Sequence, residues 1–177
     1  MLVNIPLLDD LLDRHAEVLG SDFDAYRNHA YRVVNFYRLL DKNEFEDVDK
    51  VAIAAVFHDI GIWTAGTFDY LHPSIAAASE YLREIDRESW HQEIAAMIDH
   101  HHKLTECAVA LPHSVELFRR ADWIDVSMGW VRFGLPRCIV APVRAMFPGY
   151  GFHRLLTKLV LRRAARHPLS PLPMLRW

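Results

Sequence analysis

Hydrophobic positions in this chain recur mainly every three to four residues, the spacing of helices that bury one side. Pro6 to Leu19 places Leu8, Leu11, Leu12 and Leu19 in this way, with Pro6 in the first turn, Asp9, Asp10 and Asp13 toward the electropositive end and Gly20 as the stop. Ser21 and Asp24 resemble a capping box opening a second helix to about Leu40, whose inward stripe is Tyr26, His29, Val33, Phe36, Tyr37 and Leu40. Asp47 or Asp49 can cap a third helix. The stretch Val51 to Trp63, VAIAAVFHDIGIW, is small and apolar on every side, as a central buried helix is. It ends in His58-Asp59, with Gly61 as its stop.

After a loop around Gly66, His72-Pro73 opens the next helix, SIAAASEYL, with Pro73 at its first position. Ser89 and Gln92 form another capping box. The helix from Trp90 carries Ile94, Met97, Ile98 and His101 at helical spacing into Asp99-His100-His101-His102-Lys103. That phase turns His101 inward and leaves His100 and His102 flanking the site or facing water. Pro112 and Ser114 begin a helix through Met128, with Val115, Phe118, Asp122, Asp125 and Val126 along one side. Gly134, Pro136 and Pro142 break the following segment into short helical pieces. Tyr150 to His167 is amphipathic: Phe152, Leu155, Leu156, Leu159 and Val160 oppose Arg154, Lys158, Arg162, Arg163 and Arg166. The tail PLSPLPMLRW is irregular. With no strand-like alternation and no repeat, the expected fold class is all-α.

At 177 residues and 51% hydrophobic, the chain suits one domain, or one domain with an appendage. Two cysteines, Cys107 and Cys138, make neither a disulfide framework nor a thiolate metal site, which fits a reducing cytoplasm. No secretory leader and no bilayer-length apolar run is visible. The net charge of −3 conceals an asymmetry: every acid lies at or before Asp125, after which come nine bases. A basic C-terminal face can dock on the acidic body or meet anionic substrates or lipids.

Chemistry enters with acids on apolar stripes. Asp59 directly follows Val56 and Phe57, with no Lys or Arg beside it, and a buried carboxylate is costly unless paired or bound to metal. His29 alone would be an ordinary hydrogen-bonded core residue, and His72 an exposed capping residue. Together with His58, Asp59, Asp122 and His101 they become candidate ligands. Asp125, one turn beyond Asp122, is a second ligand candidate, or one of the two orients a histidine. Imidazole and carboxylate without thiolate suit Mn, Fe, Co, Ni or Zn, one ion or two, with Asp59 best placed to bridge. Such a centre generates hydroxide from bound water near neutral pH and can serve a hydrolase.

The order His29, His58-Asp59, Asp122 resembles the HD superfamily of metal-dependent phosphohydrolases, and so do the phrases FHDIG, IDHHHK and RRADWID. The resemblance spans about residues 22–130. It implies an HD-domain helical bundle over residues 1–130, followed by a helical extension over 131–177 that packs on it or lids it. It also implies that His29, His58, Asp59 and Asp122 hold one metal, and that positions like His72 and His101 hold a second in dinuclear members. Many members have lysine three residues after the motif aspartate; here that residue is Ile62, and Lys103 is the nearest replacement for contacting phosphate. The GYP signature of the cyclic-dinucleotide branch is missing.

The function implied is hydrolysis of a nucleotide or other small phosphorylated metabolite, with Asp59 and metal activating water. One alternative is a mixed-valence di-iron oxygenase cleaving a C–C or C–P bond. Another is a non-catalytic regulatory or membrane-surface module. The expected partner is a small phosphorylated substrate and no specific nucleic acid; an anionic membrane or a second copy in a homodimer are candidates for the basic extension.

Overall fold

The computed structural model describes residues 1–41, 48–168 and 173–175. Along the chain run α1 (Pro6–Arg14), α2 (Ala16–Leu19), α3 (Phe23–Leu40), α4 (Val48–Phe57), α5 (Gly61–Thr64), α6 (Leu71–Glu84), α7 (His91–His100), α8 (His113–Val126), α9 (Arg137–Met146) and α10 (Phe152–Arg166). There is no strand among the described residues, and the fold is an all-α bundle. No helix among them is long and apolar enough to cross a membrane.

α4 lies at the centre. Every residue from Val51 to Phe57 is buried, because α1, α3, α6 and α7 surround it. α3 departs from the one-sided stripe its sequence suggests. It is buried on all sides from Asn28 to Tyr37, enclosed by α1, α4, α8, α9 and α10. Buried polar residues on α3, namely Asn28, His29, Arg32 and Asn35, therefore need partners inside the protein.

Several local expectations are corrected. The first helix is interrupted at His15 (φ −106°, ψ 6°), whose ring packs edge-on against Phe57 at 5.6 Å. Neither capping box forms. Short 3₁₀ turns, Gly20–Asp22 and Glu88–Trp90, lead directly into α3 and α7, so helical backbone already precedes the positions that Ser21 and Ser89 would cap. Of the two candidate caps for α4, Asp49 lies within the helix and Asp47 falls outside the described residues.

Gly61 is not the stop of the central helix. α4 ends at Phe57, and Gly61 begins α5. Its role is close approach: a Cβ there would stand 2.6 Å from the Tyr70 carbonyl oxygen and 3.0 Å from Ser74 Oγ, which accepts the Gly61 N–H. Gly61→Ala should cost about 1–3 kcal/mol through overpacking, read as a lowered melting temperature.

The segment beyond residue 130 shares the core. Val140, Val143, Phe147 and Phe152 are buried in it. Asn28 Nδ2 donates to the Pro148 carbonyl and Arg32 Nη1 to that of Phe147, both at 2.8 Å. A smaller cluster joins Ile62, Tyr70 and Leu71 to Met174 of the tail, with Leu159 of α10 against it.

Candidate metal centre

The candidate ligands come from four places. His29 sits in the middle of α3. His58 and Asp59 occupy the tight turn after α4, where His58 N–H still donates to Ala54 and Ile62 N–H donates to the Asp59 carbonyl. His101 and His102 lie in the turn after α7, and Asp122 and Asp125 on successive turns of α8. Tyr26 stitches the first turn in place, donating to the Val56 carbonyl at 2.7 Å and accepting the Asp59 N–H at 3.3 Å.

These side chains converge on two carboxylates. His29 Nε2 and His58 Nε2 are 2.9 Å apart, and they stand 3.8 and 3.4 Å from Asp59 Oδ2. The same nitrogens are 3.6 and 3.8 Å from Asp122 Oδ1. The opposite oxygens face the other way: Asp59 Oδ1 lies 3.3 Å from His101 Nε2, and Asp122 Oδ2 lies 3.5 Å from His102 Nδ1. Two potential ion-holding groups result, His29-His58-Asp59 and Asp59-His101-His102, with Asp59 common to both.

The tautomers follow from the partners. His58 Nδ1 is 2.9 Å from the Ala55 carbonyl and His101 Nδ1 2.6 Å from that of Ile98; a carbonyl only accepts, so each Nδ1 carries the proton. His29 Nδ1 donates to Asp125 Oδ2 at 2.6 Å. All three rings thus aim an Nε2 lone pair at the cluster, the arrangement that orients histidine as a metal ligand. Tyr70 hydroxyl bonds to His102 Nε2 at 2.7 Å and so turns its Nδ1 toward Asp122.

The donor set fits a cation. Asp59 Oδ1, His101 Nε2 and both Asp122 oxygens are buried and lack hydrogen-bond partners, an arrangement that is expensive without a positive centre. His29 Nε2 and His58 Nε2 stand at hydrogen-bonding distance, 2.9 Å, and a metal ion held there would take the place of the proton between them. Two nitrogens about 2.1 Å from one ion and at a right angle to each other would be about 3.0 Å apart.

Electrostatics lead to the same place. Burial pushes the His58 imidazole down to about 3, so it is neutral at physiological pH. Burial favours the neutral acid at Asp59, but the imidazoles of His58, His101 and His102 outweigh it and hold this carboxyl well below its usual range. Burial, together with the Asp59 and Asp125 carboxylates, raises Asp122. Burial opposes a charge on His101, yet Asp59 and Asp122 raise its pKa above the ordinary value. In the absence of metal, Asp122, raised to about 7, therefore carries through the mildly acid range a proton that a ligand must shed. Metal affinity should rise with pH through the mildly acid and neutral range, checked by Mn²⁺ titration at several pH values; Asp122→Asn should flatten the profile.

Asp125 stands outside both groups. Besides His29, its carboxylate accepts from Arg32 Nε (2.6 Å) and Nη2 (2.8 Å), and from Arg144 Nη1 at 3.1 Å. It orients the His29 ring, and the His29 hydrogen bond together with the bidentate pairing with Arg32 holds it well below the usual carboxylate range despite complete burial. Phe152 of α10 stacks on the His29 ring at 4.1 Å and closes the site on that side.

Of the residues expected in the site, His29, His58, Asp59, His101 and Asp122 are brought together. His72 is not: it is exposed near the start of α6 and lies outside both groups. The helix begins at Leu71, so His72 points along its outer face. His102 stands in the second group instead. Lys103 lies next to the centre in sequence, but its ammonium donates to Thr105 while its carbonyl is held by Arg119 Nη1 and Trp123 Nε1. Helical phase does not reach His102, because α7 ends at His100 and helical spacing no longer governs the next two residues. Arg32, which holds Asp125, was also missed; a buried arginine one turn beyond a candidate ligand was the available signal. His102→Ala should therefore lower metal stoichiometry or affinity, whereas His72→Ala should leave both unchanged, as read by elemental analysis and titration.

Comparison with curated proteins and with solved structures finds no match. The HD-domain family model matches residues 26–127, more than half of the chain. That span contains each of the converging side chains, from His29 on α3 to Asp125 on α8. With His58-Asp59 at its centre, the chain belongs to the HD-domain superfamily of metal-dependent phosphohydrolases.

Proposed function

We propose that the protein hydrolyses a phosphate ester of a small metabolite, a nucleotide or similar compound, at this centre. The observation that carries the reading is the pair of ion-holding groups sharing Asp59, buried and already oriented by hydrogen bonds to Ala55, Ile98 and Asp125. A divalent transition ion held there, Mn, Fe, Co, Ni or Zn, lowers the pKa of bound water and offsets charge on a phosphoryl oxygen. The chain's own contribution is orientation. Asp59 presents one oxygen to each group, and Asp125 fixes the His29 ring. Tyr70 fixes His102, the least buried ring of the cluster, with 14% of its side chain exposed. Lys103 is assigned to the phosphate. Its backbone is pinned directly after His102, so only its side chain has to move from Thr105.

The shared carboxylate with four imidazoles also favours a second reading, the di-iron oxygenase, which needs two adjoining ions. Elemental analysis of protein purified without added metal, followed by phosphate release from a panel of nucleotides and sugar phosphates, separates the two. Metal with phosphate release that is lost in His58→Ala supports the hydrolase. Two irons with oxygen consumption and no phosphate release would replace it with the oxygenase. Failure to take up any metal would leave the regulatory reading.

A further inference from the structure

A second concave site lies in the C-terminal part, outside the ligand cluster. The loop Met128–Arg132 and one face of α9 enclose about 320 Å³, the lower end of the range for small-molecule sites. Arg132, Arg137 and Arg144 line it, with Val140 and Ala141 as an apolar wall and no acidic side chain among the lining residues. Trp130 stands at its edge and is 84% exposed.

The loop that carries this tryptophan is pinned. Met128 and Gly129 are successively left-handed, at φ 54° and 79°. Their N–H groups donate to the Asp125 and Ile124 carbonyls, and Val131 N–H donates to Ser127 Oγ. A Cβ on Gly129 would come within 3.2 Å of Val140 Cγ1, so the loop lies directly on α9. A left-handed methionine is strained, and the surrounding bonds impose it. Trp130 is thus held in solvent by a fixed backbone beside three guanidinium groups.

Two of those groups are also pre-set. Arg132 Nη1 donates to the Gly129 carbonyl at 3.0 Å. Arg144 Nη1 rests on Asp125 Oδ1, but that carboxylate is already matched by the two-pronged contact of Arg32. The positive charge of Arg144 is therefore surplus there. Fixed guanidinium forks recognise phosphate oxygens at low ordering cost, and an exposed indole offers a stacking face to a planar ring.

We infer that this cleft binds a small aromatic phosphate of nucleoside-monophosphate size, with the phosphate among Arg132, Arg137 and Arg144 and the ring on Trp130, at a site separate from the metal centre. The inference does not depend on the reaction proposed above. A flat lipid surface fits less well, because the arginines line a concavity between loop and helix.

The test is calorimetric titration of the metal-free full chain with adenosine 5′-monophosphate, with adenosine and inorganic phosphate as controls. Expected are saturable binding of the nucleotide, at least tenfold weakening in Arg132→Gln/Arg137→Gln, and a clear weakening in Trp130→Ala. All variants should keep the wild-type melting temperature, and His58→Ala should bind as wild type does. No binding at millimolar nucleotide would overturn the inference. So would affinity unchanged in the double arginine variant, adenosine binding as tightly as its phosphate, or loss of binding in His58→Ala, which would place the ligand at the metal centre. Capture by phosphatidylserine vesicles without nucleotide binding would replace it with a membrane surface.

Discussion

Asp59→Ala yields a folded protein that binds no metal and hydrolyses its substrate about a thousandfold more slowly or worse. Asp59 belongs to both ion-holding groups, so one substitution removes a ligand from each. Metal contributes several kcal/mol of transition-state stabilisation, and each 1.4 kcal/mol or so is tenfold in rate. The metal-free fold loses some stability at neutral pH, because the carboxylate that His58, His101 and His102 hold below its usual range is gone, and that loss fades as the pH falls and the wild-type acid is protonated. The expected record is metal near zero by elemental analysis and a folded protein whose metal-free melting temperature at neutral pH lies below that of the metal-free wild type. Full activity with retained metal would remove Asp59 from the centre of the mechanism.

Asp125→Asn behaves differently: it damages the fold first and the metal site with it. The carboxylate is completely buried and accepts from His29, Arg32 and Arg144. An amide has one acceptor oxygen, and its NH₂ would face a guanidinium or the His29 N–H. Breaking one side of a buried ion pair costs about 3–5 kcal/mol. Loss of the group that orients a ligand histidine costs about 10–100-fold in metal affinity. Denaturant unfolding and metal titration should therefore both report the change. Asp125→Leu combined with Arg32→Met should recover much of the stability, since the fully buried guanidinium goes with its carboxylate and Arg144, 27% exposed, can turn to solvent, while the metal affinity stays low.

The all-helical fold is legible because its apolar positions keep helical spacing, and the centre because acids interrupt those stripes. His29, Asp122 and Asp125 are placed correctly by phase alone, since each lies inside a long helix. Phase fails where helices end. His101 and His102 follow the last residue of α7 in a turn, so the side that each ring faces depends on Tyr70, Asp59 and Asp122 rather than on a period. His72 is displaced for a related reason: α6 starts two residues earlier than Pro73 at its first position would have it. The three-partner role of Asp125 was not legible, because Arg32 and Arg144 are far from it in sequence and meet it only through the packing of α3 and α9 on α8. The capping motifs misled because a preceding 3₁₀ turn leaves the capping side chain no free amide.

The near-complete enclosure of the ligand atoms bears on how the ion arrives. His29, His58, His101, Asp59 and Asp122 expose 2% of their surface or less, and Phe152 covers His29 from the far side. Among the candidate ligands His102 reaches solvent, with 14% of its side chain exposed, so an ion held behind it by His29, His58 and Asp59 leaves only with local opening of the surrounding helices, whose buried contacts make that opening rare. Exchange is then governed by the opening rate, not by the ranking of metal affinities. The ion carried is the one at hand when α3, α4, α7 and α8 first close around it. Chelators should strip the native protein slowly, whereas refolding in the presence of a different ion should exchange it completely.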